Sequence, residues 1–161
     1  MTTHAAPEQV RLAMRLWASG VTIVTSVYGN ERHGMTVSSF TSISLDPPLL
    51  MAALQKTTRT SKLILRARAF GVTILSAGQD EISERFAGRN DHIEDRLEGL
   101  EIETLSTGAP FLKGGLAYFD CRLYQTMDAG TSLIFVGEVV AAKRFKGRPL
   151  LYHDRGYARI A

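Results

Sequence analysis

The chain has 161 residues, of which 45% are hydrophobic and 22% charged. That is the size of one domain and the composition of a soluble globular protein, so an intrinsically disordered chain is excluded. The net charge of +3 is spread along the sequence with no basic run to line a nucleic-acid groove, and the single cysteine, Cys121, excludes an internal disulfide framework and a cysteine-rich zinc site.

Pro7 followed by EQVRLAMRLWASG predicts a helix, with Val10, Ala13, Met14 and Trp17 on one face and Gly20 as its stop. Residues 21–27, VTIVTSV, are rich in β-branched side chains and read as a strand. Tyr28-Gly29-Asn30 is a turn signal, so the next strand is expected to return as a hairpin through His33 to Phe40. After Asp46-Pro47-Pro48, LLMAAL predicts a buried strand. Thr58 to Ala67 predicts a helix with Leu63 and Ala67 on one face and Arg66 and Arg68 in solvent, and FGVTIL another strand. Gln79 to Phe86 reads as a short helix, whereas Gly88 to Pro110 is polar and reads as irregular, exposed surface. LAYFDCRLYQTM and LIFVGEVVAAKRF predict long strands joined across the hairpin Asp128 to Ser132, and the tail offers two short pieces around Asp154-Arg155-Gly156.

Strands joined mostly by hairpins, with few and peripheral helices, argue for a mainly β protein built as an antiparallel barrel, with residues 1–161 as a single domain. No G-x-G-x-x-G or phosphate-loop sequence supports a Rossmann or Walker fold. No apolar run approaches a membrane span and no signal peptide is recognisable; with one cysteine, this makes the cytoplasm the expected location, and neither membrane nor nucleic acid an expected partner.

The stretch HGMTVSSFTSISLDPPLL, from His33 to Leu50, places hydroxyl side chains and a glycine between apolar residues. On a strand Thr36 and Ser38 share one face and Val37 and Ser39 the other. One face can then dock on a core while the other presents donors to a flat, phosphorylated ligand; a Ser/Thr-rich strand and loop with no ligand fits the same pattern.

Taken in order, WASG before VTIVTS, HGMTVSSFTSISLDPPLL, FGVTILSAGQDEISERFAG, FDCRL and IFVGEVV resemble the flavin reductase family that supplies two-component flavin-dependent monooxygenases. The similarity runs from about Val10 to Tyr157. It implies an FMN-binding split β-barrel of Greek-key type, a homodimer, and a reaction in which NADH or NADPH reduces FMN or FAD. By position, the resemblance places Met35, Thr36, Val37, Ser38 and Ser39 along the ring and ribityl chain, and Gln55, Lys56, Thr57, Thr58, Arg59 and Thr60 at the phosphate. The physics of a helix start agrees, because Thr58 can cap, the free amides favour an anion and Lys56 or Arg59 adds charge; Thr58 fits an ordinary N-cap equally well. Phe86, Ala87, Gly88 and Arg89 match a segment that comes close to the flavin and the nicotinamide side, although Phe86 also suits a core anchor.

Many relatives carry G-D-H before the strand matching LIFVGEVV, where this chain has Gly130-Thr131-Ser132. Ser132 cannot act as an imidazole near neutral pH, but hydride transfer needs alignment more than a protein acid or base. His33, Ser132 and Tyr157 are the candidates for nicotinamide contact; no catalytic side chain is assigned. The four dispersed histidines lack ligand spacing, so no metal site is expected. Cys121 on an apolar strand suits a buried thiol, and the serines lack a nucleophile elbow. Three functions remain: a nicotinamide-dependent flavin reductase, a flavin-binding split barrel without that activity, and a non-enzymatic dimeric barrel.

Overall fold

The computed structural model describes residues 3–89 and 92–161. Five successive buried residues, Thr22 to Ser26, place strand β2 (Thr22–Tyr28) inside a sheet, with both faces covered. Ile23 and Val24 point to opposite sides, as the pleat requires, and each joins a different core. Val24 packs with Val37, Leu54, Phe70 and Phe135, while Ile23 packs with Leu75, Phe86 and Leu97.

The main sheet has the order β3-β2-β6-β9-β10-β5-β4, with every neighbouring pair antiparallel. Besides β2 it contains β3 (Glu31–Val37), β4 (Phe40–Leu45), β5 (Pro48–Gln55), β6 (Ala69–Ile74), β9 (Ala117–Ala129) and β10 (Ser132–Arg144). Strands β3 and β4 lie at opposite ends of this order, yet only Ser38 and Ser39 separate them along the chain. The sheet therefore curls until its ends approach, and Ser38-Ser39 marks the seam of a split barrel. Ser39 holds the crossing: its hydroxyl donates to the Ala53 carbonyl at 2.7 Å, and its carbonyl accepts from the Ala53 amide at 3.0 Å. Where β10 bulges after Val136, a Cβ on Gly137 would lie 2.6 Å from Phe70 and 2.7 Å from Cys121, so only glycine lets the strand pack this closely.

Small elements surround the barrel. Helix α1 (Pro7–Met14) leads to β1 (Ser19–Gly20), which pairs with β11 (Leu151–His153), itself paired with β12 (Gly156–Ala158). Helix α2 (Arg59–Ala67) buries Leu63 and Ile64, and α3 (Asp80–Phe86) buries Phe86. The pair β7 (Ile102–Glu103) and β8 (Phe111–Leu112) follows.

Several expectations need correction. Helix α1 stops at Met14, not Gly20, and none of its residues is buried; Gly20 is instead held in a bridge to Leu151. The strand expected from His33 to Phe40 breaks at Ser38-Ser39 because its two halves serve opposite ends of the sheet. The segment from Gly88 to Pro110 is not simply exposed: Leu97, Ala109 and strand β7, which pairs with β8 just beyond it, sit within it, and Leu97 enters a core. Buried Asp120 pins this segment down, accepting from the Ser106 and Thr107 amides at 2.6 and 2.8 Å.

Candidate active site

The seam opens onto a cavity of about 480 Å³. Strand β3 supplies His33, Met35, Thr36 and Val37, the crossing supplies Ser38 and Ser39, and β5 supplies Ala53, Leu54 and Gln55. Thr58, Phe86, Ala87, Arg96 and Ser132 complete the lining. Ser132 reaches it because the start of β10 pairs with the end of β5, Ser132 opposite Gln55.

The hydroxyls of this wall divide into two groups. Thr36 donates to the Ser83 carbonyl of α3 at 2.6 Å, and Ser39 is tied to Ala53 as described. Thr58 caps α2, accepting from the Ser61 amide at 3.3 Å and donating to the Gln55 carbonyl at 2.8 Å. Ser38 and Ser132, in contrast, have no side-chain hydrogen bond among the described residues, so they alone of these hydroxyls are open to a ligand.

His33 is buried, and its Nδ1 is hydrogen-bonded to Thr60 Oγ1 at 2.7 Å. Burial, reinforced by the charges of Arg96 and Arg59, pushes its pKa down from 6.5 to about 4, so the ring is neutral at physiological pH. Thr60 thus lies behind His33 and does not itself line the cavity. Lys56 and Thr57 also lie outside the lining; Lys56 pairs with Asp128 at 2.6 Å, and its amide donates to the Thr131 carbonyl at 3.0 Å, which fixes the hairpin tip beside β5. Arg59 is paired with Glu31 at 3.2 Å, so neither of the two cations expected at the phosphate end stands alone.

Gly88, Arg89 and Tyr157 are likewise absent from this lining. A second cavity of about 210 Å³ shares Thr36, Ser38 and Ala87 with the first, and Arg89, Tyr152 and Tyr157 line its other side. Tyr157 donates its hydroxyl to Glu84 Oε1 at 2.5 Å and contacts Ser83 Oγ at 2.8 Å, while Arg89 pairs with the other Glu84 oxygen at 2.8 Å. Burial, then the Glu84 carboxylate, raises the Tyr157 pKa, so the phenol stays protonated.

Sequence reasoning missed Ala53, Leu54 and Arg96. The Arg96 guanidinium donates to the Gly34 carbonyl at 2.9 Å and the Phe86 carbonyl at 3.1 Å, joining β3 to the end of α3. Gly88, at φ +74°, leaves room for it: a Cβ there would lie 2.7 Å from Arg96 Nη2. The glycine was legible as a loop residue, but nothing local ties position 96 to position 34.

A curled antiparallel sheet whose seam opens on a slot of this size, beside a capped helix start, defines a split barrel with a ligand-sized slot at its seam. The chain belongs to the Flavin reductase like domain family, which it matches over residues 14–161. It is 37% identical over 154 residues to the reductase component of 4-hydroxyphenylacetate 3-monooxygenase from Thermus thermophilus, covering 95% of this chain and 96% of that protein. It is 36% identical over 151 residues to the FMN reductase (NADH) SmoA of Agrobacterium fabrum, covering 94% of this chain and 84% of the relative. The Streptomyces globisporus NADH:FAD oxidoreductase SgcE6, solved in complex with NAD and FAD fragments, superposes with a TM-score of 0.89 at 31% identity, covering 99% of this chain and 98% of that one.

Proposed function

We propose that this protein is a flavin reductase that passes hydride from NADH or NADPH to FMN or FAD and supplies the reduced flavin to a flavin-dependent monooxygenase. The observation that carries this reading is the pair of cavities meeting at Thr36, Ser38 and Ala87, one large enough for a cofactor ring and the other beside it for a reacting partner. The residues fit a flavin. Met35, Leu54 and Phe86 give apolar walls, Ser38 offers an open hydroxyl outside either ladder, and Thr58 caps a helix whose first turn suits a phosphate.

When bound, the flavin supplies the ring nitrogen that accepts hydride, and the chain supplies alignment. Thr36 and Ser39 are locked by their own hydrogen bonds, so they hold the backbone of the seam in place. Neutral His33 and protonated Tyr157 contribute dipoles, not charge, at neutral pH. His33, Ser132 and Tyr157 are the proposed nicotinamide contacts.

The test is anaerobic mixing of the flavin-loaded protein with NADH and with NADPH, followed by flavin absorbance. Bleaching supports the reductase; retained flavin without bleaching favours a flavin-binding barrel lacking nicotinamide activity. That second reading draws on Ser132 occupying the cavity rim at the position where the family resemblance implies an imidazole.

We also propose a homodimer and a cytoplasmic location. Ile43 and Leu45 on β4 and Tyr124 and Met127 on β9 leave apolar surface exposed, with Leu45 89% accessible, which a second copy would cover. Light scattering at micromolar concentration is expected to give twice the chain mass; a stable monomer with full flavin occupancy overturns it. Among the described residues no helix is long and apolar enough to cross a membrane.

A further inference from the structure

Thr60 was expected at the phosphate, yet it is fully buried on α2, behind His33 and off the cavity wall. We propose that Thr60 sets the tautomer of His33, so that the imidazole turns one fixed donor, Nε2–H, toward an acceptor oxygen of the ligand in the larger cavity. The inference rests on the flavin reading above and deepens it, giving His33 a defined hydrogen and Thr60 a positioning role.

The hydrogens at this pair can be counted. His33 is 9% exposed, and burial, then the charges of Arg96 and Arg59, outweigh Glu31 and Asp95 to keep the ring neutral. A neutral imidazole has one N–H and one bare nitrogen, and its surroundings decide which is which. Nδ1 lies 2.7 Å from Thr60 Oγ1, the only side-chain hydrogen bond that either residue makes among the described residues. If Nδ1 carried the hydrogen, Thr60 would accept it, and its own hydroxyl hydrogen, sealed at 0% exposure, would meet no acceptor. If Thr60 donates to Nδ1, that hydrogen is used and the imidazole hydrogen falls on Nε2. The second arrangement leaves no buried donor unmet, and a buried site favours it for that reason.

Nε2 in turn opens onto the cavity. It has no partner among the described residues, yet it is not one of their buried unpartnered side-chain atoms, which are Ser61 Oγ and Asp80 Oδ1, and His33 lines the larger cavity.

The backbone under the ring is also held in place. A Cβ on the adjoining Gly34 would lie 2.9 Å from Thr25 and 3.0 Å from Phe86, and the Gly34 carbonyl accepts from Arg96 at 2.9 Å. Ser26, opposite His33 on β2, donates to the Ala69 carbonyl at 2.7 Å and so is committed away from the imidazole. A donor of fixed direction on a cavity wall binds its acceptor without reorganising.

NMR of isotope-labelled histidine in the flavin-free full chain at neutral pH reads the tautomer, with His33 assigned by through-bond correlation. Hydrogen is expected on Nε2 and not on Nδ1. Thr60→Ser should keep that pattern, whereas Thr60→Val, which removes the hydroxyl at nearly constant shape, should mix the two tautomers. In equilibrium titrations His33→Leu is expected to weaken the ligand that meets the donor by roughly two- to tenfold, the range of one neutral hydrogen bond. His33→Gln, whose amide also donates, should stay within about twofold of the parent. Loss toward FMN and riboflavin alike puts the acceptor on the ring or ribityl chain, and loss toward FMN alone puts it on phosphate. Loss toward NAD+ alone, on the flavin-loaded protein, puts it on the nicotinamide nucleotide.

The parent spectrum decides even where a variant fails to fold: hydrogen on Nδ1 overturns the proposal. So does a Thr60→Val spectrum like the parent's, and so do His33→Leu affinities equal to the parent's for all three ligands. Flavin that binds through the Nε2 donor but is bleached by neither NADH nor NADPH keeps the donor and overturns the reductase reading alone.

Discussion

The two sides of the seam use the same residue types for opposite purposes. On the inner side, Thr22, Thr25 and Thr36 each donate to a backbone carbonyl at 2.6 Å, and Thr60 is engaged with His33. These hydroxyls satisfy buried backbone groups and fix β2, β3, α2 and α3 against one another. On the rim, Ser38 and Ser132 are uncommitted. The hydroxyls around the seam are therefore not one ligand-facing array: Thr22, Thr25, Thr36 and Thr60 hold the frame, and Ser38 and Ser132 are the ones left over for a ligand.

The sharpest way to break this contrast is to remove an inner anchor. Phe86 is fully buried yet also lines the cavity, so it belongs to the frame and the site at once. Phe86→Ala is expected to cost about 3–5 kcal/mol in urea unfolding, through lost burial and the void left behind. Flavin affinity should fall with it, and a loss of affinity with stability intact would move Phe86 from frame to rim.

His33 gives the next effect. Above pH 6.5 the ring is neutral in both folded and unfolded chains. Between 6.5 and about 4 the unfolded chain takes up a proton that the native chain refuses, so stability falls as pH drops and levels off below 4. The loss approaches about 3 kcal/mol across that window. His33→Gln should flatten this part of the stability profile measured by denaturant titration; an unchanged profile would show that the ring titrates normally.

Thr58 stands between the two groups, because it caps α2 and faces the cavity. Thr58→Ala is expected to destabilise the fold by about 1 kcal/mol, as for a lost N-cap, and to weaken flavin binding by about 1–2 kcal/mol. Thr58→Ser restores the cap and should restore both. Calorimetric titration with FMN reads the second effect apart from the first.

How much of this was legible in the sequence follows from range. Periodicity placed β2, α2 and the long β9–β10 hairpin, because each signal lies within a few residues, and Thr58 was readable as a cap. The break at Ser38-Ser39 was not, since it arises from closing a sheet whose ends are set by pairings with β2 and β5. The failure at α1 has the same origin: Gly20 looked like a helix stop but belongs to a bridge with a residue near the other end of the chain. Arg96 and Leu97 were hidden in a polar segment because their partners, Gly34, Phe86 and the second core, are distant in sequence. The resemblance supplied a candidate location for the site, but not which of its hydroxyls were already spoken for.

Ser132 makes the smallest and most discriminating prediction. It sits opposite Gln55 at the rim, with its hydroxyl unengaged, so Ser132→Ala removes no frame contact and should change stability by less than about 0.5 kcal/mol. Flavin affinity should also hold, because β3, Leu54, Phe86 and Thr58 form the rest of the slot. The position carries no imidazole, so the rate of flavin reduction should lack a step near pH 6.5 that depends on it, and Ser132→His should introduce one. Anaerobic stopped-flow reduction by NADH from pH 5.5 to 8 in the parent and both variants measures this. If Ser132→Ala strips the flavin while the remaining loaded protein reduces normally, Ser132 holds the ring and the nicotinamide side of the cavity lies elsewhere, toward Tyr157.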